Sequence, residues 1–90
     1  MITAAQMRAA RALLGIDQRK LAELAGVSVP TIQRMEASDG TVRAVVSTLT
    51  KVIEALDVAG VALIGDNAPS VEGGRGVRLK AARPPQNGAT

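Results

Sequence analysis

The chain has 90 residues, with 11 basic and 8 acidic side chains and a formal net charge of +3, and this length corresponds to one small domain with a thin core. It contains no Cys and no His, which excludes disulfides, thiolate metal sites and the commonest zinc ligand and general base. It also has no Phe, Trp or Tyr, which argues against proteins that stack unpaired bases on aromatic rings.

The first predicted helix follows a capping-box sequence. Thr3 and Gln6 stand three residues apart, so the hydroxyl and the amide can each bond to the other's backbone N–H. The Ala-rich stretch after them has high helix propensity and continues to Leu14. Gly15 suits the left-handed conformation that ends many helices, so the sequence predicts a helix that stops there.

Two short helices are predicted next, separated by a tight turn. Asp17 is a suitable N-cap for a helix over residues 18–25, and Gly26 ends that helix. Ser28 is the next N-cap, and Pro30 stands in the first turn, where a missing N–H costs little. This third helix is predicted to continue to Ala37.

The following segment is predicted to contain two more helices. Residues 41–46 are rich in β-branched side chains but form a short run, and we interpret them as a short fourth helix. Ser47 is predicted to cap a fifth helix, which Gly60 stops. Its apolar side chains follow the helical spacing i, i+3, i+4, i+7: Leu49, Val52, Ile53 and Leu56.

After Gly60 the pattern changes to that of a β-hairpin and a tail. Residues 61–64 and 77–80 favour strands and enclose a polar loop, whereas residues 81–90 have the composition of a disordered tail. The apolar strand residues share one face that has no evident partner in so small a domain. We therefore hypothesise that this segment forms a dimer together with the fifth helix, through Val61, Leu63, Val77 and Leu79. The predicted units are residues 1–60, 61–80 and 81–90.

Residues 17–36 have the physical features of a helix-turn-helix. Ala22 is small enough to lie where two helices cross, Gly26 tolerates a positive φ in the turn, and Val27 can fill the turn's apolar interior. The outer face of the third helix is free of aromatic bulk and fits the major groove of DNA. The candidate base-reading residues on this face are Ser28, Val29, Thr31, Gln33 and Arg34.

The same stretch resembles the lambda-repressor-like, or Xre-family, helix-turn-helix regulators. The resemblance rests on Gln18 at the start of the second helix, the pair Ala25 and Gly26, the Ser-x-x-Thr-Ile sequence of residues 28–32, and Glu36. It covers roughly residues 3–60. It implies a mainly α, five-helix domain that binds operators as a dimer and represses transcription, here followed by a C-terminal β-hairpin.

The resemblance also implies roles for individual residues. Gln18 is expected at a phosphate or a nearby base, and Arg11 is expected near the DNA backbone in a salt bridge with Glu36. Further phosphate contacts are expected from Arg19, Lys20, Thr41 and Arg43. Arg34 suits a bidentate contact to guanine and Val29 a thymine methyl group. This chain departs from several relatives, which carry amides where it has Val29 and Pro30.

Each of these residues also has a purely structural interpretation. Ser28 can act only as an N-cap, Gln33 and Arg34 can be solvated side chains, and Arg19 and Lys20 can belong to an ordinary helix surface. The Arg11–Glu36 pair can be only structural. The C-terminal cations can form a solubilising basic segment or add phosphate contacts: Arg75, Arg78, Lys80 and Arg83.

The sequence therefore predicts a homodimeric repressor that binds a near-palindromic double-stranded DNA site, without cofactor or metal. The alternative is an antitoxin-type module that binds a protein partner as well as DNA. An enzyme is disfavoured, because the sequence lacks His and Cys and shows neither a cluster of carboxylates nor a Gly-rich phosphate loop. Residues 73–76 are rich in Gly, but no helix N-terminus follows them. No apolar run reaches membrane-spanning length, so we expect a cytoplasmic, nucleoid-associated protein, with control by abundance, proteolysis or a protein antagonist.

Overall fold

The structure is a computed structural model that describes residues 2–65 and 73–80. Within these residues the chain is mainly helical and ends in a small two-stranded sheet, as predicted, but it has four helices instead of five. The elements in chain order are α1 (Ala4–Leu14), α2 (Gln18–Ala25), α3 (Val29–Glu36), α4 (Val46–Ala59), β1 (Val61–Ile64) and β2 (Gly76–Leu79).

The predicted caps of α1 and α2 are confirmed. The Thr3 hydroxyl accepts a bond from the Gln6 N–H at 3.1 Å, and the Gln6 Oε1 accepts one from the Thr3 N–H at 2.9 Å. Gly15 ends α1 with a φ of 67°. Asp17 caps α2 by accepting from the Lys20 N–H at 2.8 Å. The first two helices therefore begin and end where local sequence places them.

The predicted short fourth helix is wrong. Thr41 forms an isolated β-bridge with Thr3, and residues 42–45 are not helical. The Val42 N–H donates to the Ile2 carbonyl at 2.9 Å, and the Val42 side chain is buried. Because the N-terminal residues supply a backbone partner and a place in the core, the β-branched segment is extended.

Helix α4 begins without the predicted Ser47 cap. Its N-cap is Val45, which makes no side-chain cap bond, and Ser47 lies in the exposed first turn. The predicted apolar face is largely confirmed, since Ile53 is half-buried and three side chains are buried: Leu49, Val52 and Leu56. Gly60 ends the helix with a φ of 111°.

A single core joins the helices and the hairpin. Its largest fully buried side chains come from the four helices, from the extended segment after α3 and from β1: Met7, Leu21, Ile32, Met35, Val42, Val52, Leu56 and Val61. Because no aromatic ring is available, branched and thioether side chains fill the interior. Within the described residues, α3 packs mainly on α1 and α2.

The predicted β-hairpin is present, but the expectation that its apolar face lacks a partner is wrong. The strands are antiparallel, with Val61 opposite Leu79 and Leu63 opposite Val77. Val61 is 1% exposed, and Leu63 and Val77 are half-buried against the core. Of these four described strand residues, only Leu79 is exposed, at 50%. The sheet packs on α1 and α4, and its role in a dimer stays a prediction.

Side-chain bonds attach both ends of the hairpin to the helices. The Gln6 Nε2 group donates to the Ile64 and Gly76 carbonyls, each at 3.0 Å. At the other end, Lys80 forms an ion pair with the Asp57 carboxylate and donates to the Asp57 carbonyl at 3.0 Å. Gln6 therefore caps α1 and also holds the hairpin, with every polar atom of its buried amide bonded.

Two parts of the sequence interpretation lie outside the described residues. These are the interior of the predicted hairpin loop, residues 66–72, and the predicted tail, residues 81–90. The division into units at residues 60 and 80 stays a prediction. Over the described ranges, every helix is too short or too polar to cross a membrane.

Candidate nucleic-acid interface

Helices α2 and α3 meet through a turn that the local sequence fixes. Gly26 takes a φ of 70°, and its N–H donates to the Glu23 carbonyl at 3.3 Å. The Val27 N–H donates to the Ala22 carbonyl at 3.0 Å, which completes a Schellman motif. Ala22 is 3% exposed and Val27 is half-buried against the core, so both have the packing roles predicted for them.

Ser28 caps α3, and its hydroxyl is already engaged within the protein. Its Oγ accepts from the Thr31 N–H at 3.2 Å and lies 2.8 Å from the Thr31 hydroxyl. Ser28 is exposed and Thr31 is half-buried. The predicted role of Ser28 as the N-cap of α3 is therefore confirmed, whereas base contacts by either hydroxyl stay a prediction.

The outward face of α3 is a narrow stripe. Ile32, Met35 and Glu36 are buried, and Val29 is half-buried against the core. The exposed side chains follow the spacing i, i+3, i+4, i+7: Pro30, Gln33, Arg34 and Ala37. The sequence-based set of readers omitted Pro30 and Ala37, although the same spacing, counted from Pro30, identifies both.

Two arginines lie at one groove beside α3. The groove runs between α3, the extended segment before α4 and the first turn of α4, and Arg34 and Arg43 both line it, with Thr31 and Thr48. Both arginines are exposed. Over residues 2–65 and 73–80, neither guanidinium has an acceptor in the protein. Two unpaired cations at one groove favour an anionic partner.

Glu36, by contrast, bonds to two of the predicted phosphate-binding residues, Arg11 and Gln18. Arg11 Nε and Nη2 donate to the two carboxylate oxygens of Glu36, each at 2.7 Å, in the bidentate geometry of strong arginine–carboxylate pairs. Gln18 Nε2 donates to the same carboxylate at 3.2 Å. Arg8 Nη1, which the sequence did not single out, donates to the Glu36 carbonyl at 2.6 Å.

The charge state of this cluster follows from its bonding. The hydrogen bonding that Arg11 donates to the Glu36 carboxylate raises the pKa of Arg11, against the opposing effect of burial, and the charge of Glu36 also raises this pKa. A raised pKa gives a stabilisation that is present at lower pH and lost only as the pH rises through the arginine's range. Arg11 therefore stays charged at neutral pH and directs its donors at protein acceptors.

The remaining predicted phosphate contacts are at the surface. Arg19 and Thr41 are exposed. Lys20 is exposed and pairs with Glu23 at 3.0 Å, a surface pair that contributes little and leaves the lysine available. Arg19, Thr41 and Arg43 are thus accessible, and Lys20 makes only a weak ion pair with Glu23. Gln18 and Arg11, in contrast, bond to Glu36.

A family profile described as helix-turn-helix matches residues 7–62, which is more than half of the chain. The chain belongs to the lambda-repressor-like, or Xre-type, helix-turn-helix family. None of the curated proteins compared with the chain matches it.

Membership of the helix-turn-helix family makes the chain a DNA-binding transcription regulator in the general sense, and the family is generally non-enzymatic. The matched segment runs from α1 into β1 and includes the α2–turn–α3 unit. In a helix-turn-helix the second helix of the unit enters the major groove. That helix is α3, whose exposed stripe and neighbouring arginines form the candidate interface.

Proposed function

We propose that the protein is a sequence-specific repressor that binds a near-palindromic operator as a homodimer. The observation that supports this most is the exposed stripe on α3, where the side chains of Gln33 and Arg34 have no bonding partner among the described residues. An amide and a guanidinium are the groups that read adenine and guanine edges in the major groove. Repression follows if the operator overlaps the sites that RNA polymerase needs.

Base reading is assigned to the α3 face. Arg34 contacts guanine and Gln33 contacts adenine. Ser28, Val29 and Thr31 lie at the margins of the DNA major groove. Ser28 and Thr31 have only part of their hydrogen-bonding capacity left, because their hydroxyls bond to each other. Specificity therefore rests chiefly on Gln33 and Arg34.

Phosphate binding is assigned to the exposed groups around α3. Arg43 and Thr41 follow α3, and Arg19 and Lys20 lie on α2. Gln18 and Arg11 act indirectly, because their bonds to Glu36 fix α1 and α2 against the end of α3. Each phosphate contact releases counterions, so binding weakens steeply with salt.

The dimer brings two α3 helices to successive major grooves about 34 Å apart. We assign the interface to the hairpin and α4, with Leu79 as the exposed member of the set Val61, Leu63, Val77 and Leu79. We place the protein in the cytoplasm, on the nucleoid, under the control of its abundance, proteolysis or a protein antagonist. Co-purification of a toxin-like enzyme would indicate the antitoxin alternative instead.

The assignment of Arg34 is tested by selecting bound sequences from random double-stranded DNA and then measuring binding of Arg34→Ala. We expect an inverted repeat, and a loss of about 1–3 kcal/mol on the selected site because a bidentate contact to guanine is removed. Replacing the guanine that Arg34 contacts should abolish the difference in affinity between the unmodified protein and Arg34→Ala.

Arg78→Ala is the matched control, because Arg78 is an exposed arginine on β2. It should leave the preference for the selected site unchanged. If Arg34→Ala weakens selected and random DNA equally, Arg34 binds phosphate and the base assignment is wrong. A selection that returns no preferred sequence would contradict the function as a whole.

A further inference from the structure

The first turn of α3 presents an apolar group, instead of backbone donors, to a ligand. Pro30 has no N–H, the Thr31 N–H donates to the Ser28 hydroxyl, and the Ile32 N–H donates to the Ser28 carbonyl. The usual capacity of a helix N-terminus to bind phosphate is therefore mostly used within the protein. What this end of α3 offers instead is the exposed ring of Pro30.

Pro30 replaces Val29 as the apolar group that is free to touch DNA. Val29 is half-buried and packs on the core, so much of its surface is already covered. Pro30 is exposed and lies on the same helical stripe as Gln33 and Arg34, three and four residues further along. A side chain on this stripe reaches the same groove as the two polar readers.

The chemistry of proline restricts what it can read. Its side chain has neither donor nor acceptor, so any donor or acceptor of a base edge that it covers loses water without a replacement bond. The C5-methyl group of thymine is the one apolar feature in the major groove of unmodified DNA. The fixed ring also has little conformational freedom to lose on binding.

We infer that Pro30 reads the C5-methyl group of a pyrimidine, and that each half-site carries a thymine at this position. The inference rests on the proposed function and adds a specificity-determining residue to it. Four residues of helix rise by about 6 Å, which is roughly two base-pair steps of about 3.4 Å. The methyl group therefore lies about two base pairs from the guanine that Arg34 contacts.

The test removes the methyl group alone. Each thymine of the selected DNA is replaced in turn by deoxyuridine, and binding of the full-length protein is measured. We expect one thymine in each half-site at which the replacement weakens binding about fourfold. This factor corresponds to the free energy of burying one methyl group. At this position 5-methylcytosine should bind more tightly than cytosine, because it presents the same methyl group.

The protein variant identifies the residue responsible. Pro30→Ser should weaken binding to the thymine site and abolish the effect of deoxyuridine at that position only. Thermal melting checks that the variant is folded, which we expect because Pro30 is exposed. Val29→Ala is the matched control, and it should keep the full deoxyuridine effect even if it lowers affinity.

Two outcomes would overturn the inference. One is a selected site with no methyl-sensitive thymine, and the other is a deoxyuridine effect that persists in Pro30→Ser, whether or not it disappears in Val29→Ala. Both leave sequence-specific binding intact, so they are distinguishable from a selection that returns no preferred sequence. That last result would contradict both the inference and the proposed function.

Discussion

At the scale of single residues, Glu36 connects three helices at the end of the candidate reading helix. Its carboxylate accepts from Arg11 of α1 and Gln18 of α2, and its carbonyl accepts from Arg8 of α1. The Glu36 side chain is 3% exposed and that of Arg11 is 20% exposed, so solvent screens the pair weakly. These bonds hold the C-terminal end of α3 against α1 and α2.

Removing one partner of this pair should therefore destabilise the fold. We expect Glu36→Leu to lower the free energy of unfolding by about 3 kcal/mol, because the Arg11 guanidinium would stay poorly solvated without its carboxylate. Urea denaturation followed by circular dichroism measures the change.

The control for this effect is the double variant Arg11→Met with Glu36→Leu. It removes both charges and fills the space with apolar atoms. Its loss of unfolding free energy should therefore be smaller than the sum of the losses measured for Arg11→Met and Glu36→Leu separately. Strictly additive losses would show that the pair is not coupled, and the role given to Glu36 would be wrong.

At the scale of elements, the turn between α2 and α3 depends on one backbone conformation. Gly26 has a φ of 70°, a backbone conformation that residues with a Cβ atom rarely adopt. A Cβ atom built at this position meets no other atom within 4 Å, so space is not the constraint. The backbone conformation alone requires glycine here.

Gly26→Ala should accordingly lower the free energy of unfolding by about 1 kcal/mol, through the cost of the left-handed conformation. For a chain of this size the melting temperature should fall by about 4–8 °C, measured by calorimetry. Gly65→Ala is the matched control, because Gly65 also has open space around its Cβ position but no positive φ. If both variants melt alike, the turn does not depend on Gly26.

At the scale of the whole molecule, two exposed apolar side chains lie at the same end of the protein. Val58 on α4 is 86% exposed and Leu79 on β2 is 50% exposed. Val58 follows Asp57 in the sequence, and Leu79 precedes Lys80. The ion pair between Asp57 and Lys80 brings the end of α4 to the end of β2. The position of these two apolar side chains favours their burial against a second copy of the chain.

For the proposed homodimer, Leu79→Lys should weaken self-association by more than about tenfold, or about 1.4 kcal/mol, because the proposed interface would have to bury a charge. Sedimentation velocity of the free protein measures this without DNA. Leu13→Lys is the matched control, since Leu13 is a similarly exposed leucine on α1, and it should leave association unchanged. An unchanged dimer in Leu79→Lys would remove the hairpin from the interface.

Local sequence by itself determined the helix-turn-helix. Thr3, Asp17 and Ser28 as caps, with Gly15 and Gly26 as stops, set the ends of α1, α2 and the start of α3 through bonds within a few residues of each cap. The spaced residues between positions 17 and 36 were sufficient to indicate the family.

Only the tertiary structure decided which side chains are free. Residues 41–45 are extended because the N-terminus pairs with them, and the hairpin face is covered because Gln6 and the core hold it. The Gln18 amide, which was expected at a phosphate or a nearby base, bonds to the Glu36 carboxylate. These outcomes depend on partners far away in the sequence, whose positions no local pattern specifies.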